Sequence, residues 1–187
     1  VSRIPGVYVQ EEDGLGLRPN IGIRGTGLER MEKLNVMEDG IIIAPAPYAS
    51  PAAYYSPTMG RMQGLEVRKG STQIKHGPFT TGGSLNYIST AIPSSSLNSV
   101  DFMAGSFGKT VLHVKSGNTM GQWGYLFEVY NDMTDGFKEL DGGGNTGYAK
   151  TDVMAKVRYS MNANHAVEMK YSMTDEISDE TYLGLSD

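Results

Sequence analysis

The chain has 187 residues, a formal net charge of −5 and 24 glycines, but no cysteine. The acidic balance excludes the basic stripe of a nucleic-acid binder, and the lack of cysteine excludes disulfides and thiolate-held metals. No apolar run nears the roughly 18 residues of a membrane-spanning helix; the longest, Gly40 to Ala49, is broken by Pro45 and Pro47. His76, His113 and His165 are too scattered for a local metal motif. Glycine at this density favours turn-rich β structure. Val1 at the start and Thr181 to Asp187 at the end read as cut ends of a longer protein.

Residues 1 to about 93 alternate short β segments with Gly/Pro turns. Val7-Tyr-Val9, Asn20-Ile-Gly-Ile23, Leu34-Asn-Val-Met37 and Ile41-Ile-Ile43 read as strands, with Glu38-Asp39-Gly40 as a turn between the last two. Residues 44–57, with four prolines and three tyrosines, read as irregular loop. Pro57 to Gln63 is predicted to form a short helix capped by Ser56 and ended by Gly64. Leu65-Glu-Val67 and Ser84 to Ser89 are further strands. By residues alone this half is a small mixed α+β domain.

Residues 97–175 follow a strict period of two. Ala149, Thr151, Val153, Ala155, Val157, Tyr159 and Met161 alternate with Tyr148, Lys150, Asp152, Met154, Lys156, Arg158 and Ser160. Val167, Met169, Tyr171 and Met173 repeat the pattern against Glu168, Lys170, Ser172 and Thr174. Trp123 to Tyr130, Leu112 to Lys115 and Val100 to Ala104 complete five successive strands. Such alternation fits a soluble sandwich with one wet face, or an outer-membrane barrel. Aromatics near segment ends (Trp123, Tyr125, Tyr159) fit the barrel's interfacial girdle. So do short connections, at 117–122 and 162–165, alternating with the long 135–147, although the connection at 105–109 is shorter than that pattern asks. Five strands cannot close the smallest such barrel of about eight, so a barrel needs further wall from beyond this chain.

Several ordered motifs in the first half resemble a known family. These are Ile4-Pro5-Gly6-Val7-Tyr8-Val9-Gln10, Asn20-Ile-Gly-Ile-Arg24-Gly25 and Glu38-Asp39-Gly40-Ile41. The most specific run is Arg61…Leu65-Glu66-Val67-Arg68-Lys69-Gly70, then Gly77-Pro78…Gly82-Gly83-Ser-Leu-Asn86-Tyr-Ile-Ser89. Together they resemble the plug domain of TonB-dependent outer-membrane receptors. Pro47-Tyr48, Tyr54-Tyr55, Thr90-Ala-Ile-Pro93 and Glu180 to Ser186 bring the likeness nearest to iron(III) dicitrate and related ferric-siderophore receptors.

The resemblance implies a β-rich fragment. Residues 1–93 would be an α+β plug lacking its start, and 97–187 the first five or so antiparallel strands of a barrel of about 22. It implies a transporter and receptor rather than an enzyme, with no catalytic residues, no resident metal and no cofactor, iron being carried only as chelated cargo. Its partners would be the ferric chelate, the TonB–ExbB–ExbD energy-coupling complex and outer-membrane lipid, not nucleic acid. The segment that touches TonB would lie upstream of Val1. The setting would be the outer membrane of a Gram-negative bacterium.

Residue roles follow from the same likeness. Arg24 and Lys69 occupy positions at which the family pairs plug cations with barrel carboxylates; with Glu66 they would form a plug–barrel lock. Lys69, often Arg in the family, lacks the bidentate fork. Arg30, Lys33, Asn35, Tyr48, Tyr54, Phe79 and Thr80, with Tyr55 and Gln63 beside them, would line the chelate site at the loop tips. The two cations suit an anionic ligand and the aromatic rings offer rigid walls. Phe79 replaces a polar residue of the citrate-type receptors, so an apolar or aromatic chelate fits as well as citrate. Gly25, Gly40, Gly70, Gly77, Gly82 and Gly83 would serve turns and close backbone approach. Haem or cobalamin import, or a secreted β-rich adhesin, are the competing functions. Gly25 to Arg30 fails as a dinucleotide loop for want of its third glycine. Asp132, Asp135, Glu139 and Asp141 read as a solvated acidic loop before a Ca²⁺ site.

Overall fold

The computed structural model describes residues 4–11, 14–27, 31, 33–43, 55–70, 76–77 and 81–179. Two compact units divide the chain, Val1–Thr90 and Ala91–Asp187.

The first unit contains two sheets. Strands β1 (Val7–Glu11) and β2 (Pro19–Ile23) pair as an antiparallel ribbon. Strands β3 (Leu34–Glu38), β4 (Ile41–Ile42), β5 (Met62–Arg68) and β6 (Gly83–Ser89) form a sheet of order β4-β3-β6-β5. Its β3–β6 pairing is parallel, whereas β5–β6 and β3–β4 are antiparallel. Val7, Ile21, Ile23, Met31, Leu34, Val36, Leu85 and Tyr87 pack between ribbon and sheet as the core. The Asp39-Gly40 turn has left-handed φ at both residues, 51° and 82°, the backbone of a two-residue hairpin.

The predicted helix at 57–63 does not form. The segment makes one 3₁₀ turn, Met59–Arg61, capped without a side-chain bond by Thr58 rather than Ser56. Strand β5 begins at Met62, and Gly64 lies within it. A ladder to β6 from Met62 to Arg68 satisfies these backbone groups, so pairing overrides the local Ser-Pro signal.

The second unit is a meander of order β11-β10-β9-β8-β7, antiparallel throughout. Its strands are β7 (Leu97–Ala104), β8 (Thr110–Met120), β9 (Trp123–Thr134), β10 (Tyr148–Asn162) and β11 (His165–Ser178). Strand β8 runs to Met120, so the connection expected at 117–122 shrinks to Gly121 and Gln122. Ala163 and Asn164 join β10 to β11. At the opposite end lie the connections 105–109 and 135–147. Among the described residues no helix is long and apolar enough to cross a membrane.

Register puts the alternating residues on two faces. One row of direct neighbours reads Val100, Val114, Val129, Val153, Met173; the next pairs Phe127 with Ala155 and Ala155 with Tyr171. This apolar face is open to the outside, with Phe102 69 % and Met169 73 % exposed. The other face carries Glu128, Lys150, Asp152 and Lys156, all buried. A soluble sandwich has the reverse arrangement. The apolar face is bounded at the two-residue turns by Trp123 against Tyr159, ring centroids 4.7 Å apart. Toward the longer connections its β9–β11 part turns polar, where Asn131 donates to Thr151 at 2.9 Å and Thr151 lies opposite Asp175, with Met133 and Ile177 exposed beyond. Trp123 to Asn131 on β9 spans about 26 Å at roughly 3.3 Å per residue. A tilt of about 40° lowers that to roughly 20 Å, near the ~25 Å apolar band of outer-membrane barrels.

Candidate functional site

Three polar regions stand out. The first is a corner of the plug-like unit. Arg24, just past β2, has a left-handed φ of 56° and donates its backbone N–H to the Gly6 carbonyl at 2.9 Å. Lys69, just past β5, donates its ammonium to the Pro5 carbonyl at 2.7 Å. A Cβ on Gly70 would stand 3.6 Å from the Arg24 guanidinium. The two cationic motifs, 45 residues apart in sequence, therefore meet at the Pro5–Gly6 turn. Arg24 is exposed, and among the described residues no carboxylate pairs with it. Gly82 and Gly83 make the approach possible: a Cβ at Gly83 would lie 2.6 Å from the Arg68 carbonyl, and one at Gly82 2.7 Å from Thr26 Oγ1. Gly25 and Gly77 have left-handed φ, as Gly40 and Gly70 do.

Glu66 is engaged elsewhere. Its carboxylate accepts from Asn86 Nδ2 at 3.2 Å on β6 and from Arg68 at 3.4 Å. The Asn86 bond first, then Arg68, holds its pKa below the ordinary carboxylate value. Arg61, at the head of the same motif, is fully buried and pairs with Glu38 at 2.9 Å. That pair ties the 3₁₀ turn to β3. Beside it, Asp39 accepts the Ser89 N–H at 2.9 Å and the Ser89 hydroxyl at 2.5 Å. Asn86 accepts the Gly40 N–H at 2.8 Å. This polar spine, buried at Arg61, Glu38, Asn86 and Ser89, was missed because its partners lie 23 to 50 residues apart and every member has an ordinary surface role by type.

Of the chelate candidates, Lys33 is exposed in the turn before β3. Asn35 is not a free donor: it is buried on β3 and its amide donates to the His76 carbonyl, which fits a floor and not a tip. Arg30, Tyr48, Tyr54, Phe79 and Thr80 lie outside the described residues. Tyr55 is half-buried and Gln63 exposed on β5.

The second region is the charged face of the five-stranded sheet. Lys150 bridges Glu176 at 2.9 Å, His113 Nε2 meets Glu128 at 2.6 Å, and Thr174 donates to Asp152 at 3.2 Å. Arg158 bridges Glu168 at 2.9 Å nearer the short turns, where both are more exposed. Glu128 and Asp152 have no measurable exposure, and a carboxylate so buried needs polar partners. The third region is the end bearing the longer connections. Lys109 pairs there with Asp132 and donates to Tyr148 Oη at 2.5 Å. Asp132 is thereby committed to β9 and to Lys109, not gathered with Asp135, Glu139 and Asp141.

Residues 1–84 match the family model of the TonB-dependent receptor plug domain. The ferric citrate transporter FecA, in its unliganded form, shares the fold over 96 % of this chain and 28 % of its own, with TM-score 0.77 and 24 % identity. The pyoverdine outer-membrane receptor FpvA from Pseudomonas aeruginosa PAO1 matches over 92 % of this chain and 24 % of its own, with TM-score 0.73 and 18 % identity. The copper transporter OprC matches over 92 % and 27 %, with TM-score 0.68 and 21 % identity. The chain spans about a quarter of the length of these receptors. Residues 1–84 are thus matched as a TonB-dependent receptor plug domain, and the chain as a whole, with its five following strands, shares the fold of the plug and the opening barrel strands of these outer-membrane receptors.

Proposed function

We propose that the protein imports a ferric chelate across the outer membrane, drawing its energy from the TonB–ExbB–ExbD complex. The observation that carries this reading is the inverted wall: charges buried in pairs on one face, apolar side chains presented on the other. Such a wall suits a barrel with lipid outside and a polar lumen inside. A secreted adhesin has no use for that exposed face. Ferric citrate and ferric pyoverdine are the cargo types that the likeness to FecA and FpvA supports. Lys33 and Arg30 supply cations suited to an anionic chelate.

Release needs a plug that mechanical work can shift. Contacts of the Lys69–carbonyl kind, exposed and polar, are each worth about 1 kcal/mol and break singly. Arg24 and Lys69, brought to one corner, form the cationic half of the lock; Glu66, held by Asn86 and Arg68, supports the sheet behind it.

The test is uptake by the full-length receptor in a strain lacking its gene. Cells are supplied with ferric citrate, ferric pyoverdine, haem, cobalamin or copper as separate arms. Restoration of growth on a ferric chelate alone supports the reading. Restoration only by haem, cobalamin or copper replaces the cargo, and the likeness to OprC makes the copper arm informative.

A further inference from the structure

The two longer connections of the sheet are built as one object. Phe107, in the 105–109 connection, has a left-handed φ of 58°, a conformation a bulky side chain rarely adopts. That twist aims its carbonyl at the root of the 135–147 connection. The carbonyl accepts the Asp135 N–H at 2.9 Å and the Thr134 hydroxyl at 2.9 Å. The Phe107 ring meets Phe137 edge-on, with centroids 6.3 Å apart. Below, Lys109 ties Asp132 of β9 to Tyr148 of β10.

The 135–147 loop is also closed upon itself. Thr146 Oγ1 donates to the Lys138 carbonyl at 3.0 Å and accepts the Lys138 N–H at 3.3 Å. Asp179 N–H reaches the Gly147 carbonyl at 3.0 Å. At the crossing the backbones approach too closely for any side chain. A Cβ on Gly147 would lie 1.8 Å from the Thr134 carbonyl oxygen, and one on Gly136 2.4 Å from Thr146. Beyond the crossing the constraint ends: a Cβ on Gly142 would meet nothing within 4 Å. The segment is thus an Ω-loop with a pinned neck and an open tip.

Both connections leave the end of the sheet opposite the two-residue turns, the end that outer-membrane barrels turn to the outside. A long loop that closes only on ligand must be ordered by binding, at a cost drawn from affinity. Resting on the function proposed above, we infer that the 135–147 loop is a pre-set rim of the chelate-binding mouth, held in place by the Phe107 brace and not by ligand. Phe107, Gly136 and Gly147 are positioning residues; the tip from Phe137 to Asn145 is what they present.

The experiment uses the full-length receptor in outer-membrane vesicles. Trypsin cleavage at Lys138 reports the loop, ferric citrate and ferric pyoverdine serve as binding probes, and heat-modifiable migration confirms an assembled barrel. Wild type and Gly142→Ala should resist cleavage at Lys138 equally without ligand. Gly147→Ala should be cut at least about tenfold faster and bind the accepted probe at least about tenfold more weakly. Phe107→Pro, which cannot hold a positive φ, should do the same while leaving the 135–147 sequence intact; it also covers the case in which Gly147→Ala does not assemble. Equal cleavage of wild type and both variants overturns the brace. Faster cleavage with unchanged binding overturns the rim. A wild-type receptor that binds neither probe overturns the cargo reading instead, and the cleavage comparison still decides the brace.

Discussion

The two units of this chain bury opposite kinds of side chain. The plug hides Ile21, Ile23, Leu34, Leu85 and Tyr87 between ribbon and sheet. The wall hides Glu128, Lys150, Asp152 and Lys156 and shows Phe102, Phe127, Met169 and Tyr171 to its surroundings. Both obey one rule, that apolar area leaves water. The plug satisfies it internally, whereas the wall leaves its apolar face exposed, an arrangement that suits lipid in place of a core. Charge then has different meanings: in the plug a buried pair is an exception held by good geometry, and in the wall paired charges are the ordinary lining.

The sharpest test of that contrast is Arg61 with Glu38, the most deeply buried plug ion pair described. Arg61→Met leaves Glu38 buried without its cation and should cost the plug about 3–5 kcal/mol. Calorimetric unfolding of the detergent-solubilised receptor should show the plug transition falling while the barrel transition stays. Adding Glu38→Leu should recover most of the loss, since an apolar pair of similar volume is often neutral. Failure of the double variant to recover would mean that the pair specifies the sheet's register rather than merely filling it.

The wall answers the same question in reverse. Ala155→Lys places a charge in the middle of the apolar face, beside Phe127 and Tyr171. In lipid it should destabilise the assembled receptor by about 2–4 kcal/mol. Thr174→Lys, opposite Asp152 on the charged face, should cost far less. Denaturant unfolding in vesicles measures both; equal costs would argue against the assignment of faces.

How much of this was legible depended on period and range. Period two in 97–175 exposed the five strands and the composition of both faces, because alternation is local and repeats over every strand. The structure keeps Val153, Val157, Met169 and Met173 on one face and Lys150, Asp152 and Lys156 on the other, as read. The strands of the plug were also legible, but not what binds them. Ser56-Pro57 looked like a helix start, yet β6 takes up the segment from Met62. Arg61 and Glu38 carry no local signal, since a charge defaults to the surface and its partner is 23 residues away. Arg24 and Lys69 were marked by family motifs alone; only the fold sets both against the Pro5–Gly6 turn.

Ionisation separates plug from solvent more gently. Burial, with the Tyr55 phenol beside it, pushes the Tyr87 hydroxyl up to about 12 from its ordinary 10.0. Between those values an unfolded chain releases this proton and the folded plug keeps it, so stability falls as pH rises through that window. In an absorbance titration Tyr87→Phe should remove one tyrosine's worth of the late-ionising signal. An unchanged high-pH limb in the variant would place the late group elsewhere.

The smallest effect belongs to Glu66, exposed on β5. Its folded pKa lies below the ordinary 4.5 because Asn86 donates to the carboxylate, with Arg68 second. A depressed carboxylate stabilises the fold at pH above its unfolded pKa and loses that contribution as pH falls through the folded value. Glu66→Gln should therefore leave plug stability near neutrality almost as it was and flatten its decline below about pH 4.5, the free-chain value. The amide can still accept from Asn86, so the β5–β6 pairing survives while the proton linkage does not. If instead the variant loosened the plug equally at every pH, Glu66 would be acting through packing. The contrast with Arg61 would then narrow to one of degree, because both charges would hold the sheet by shape.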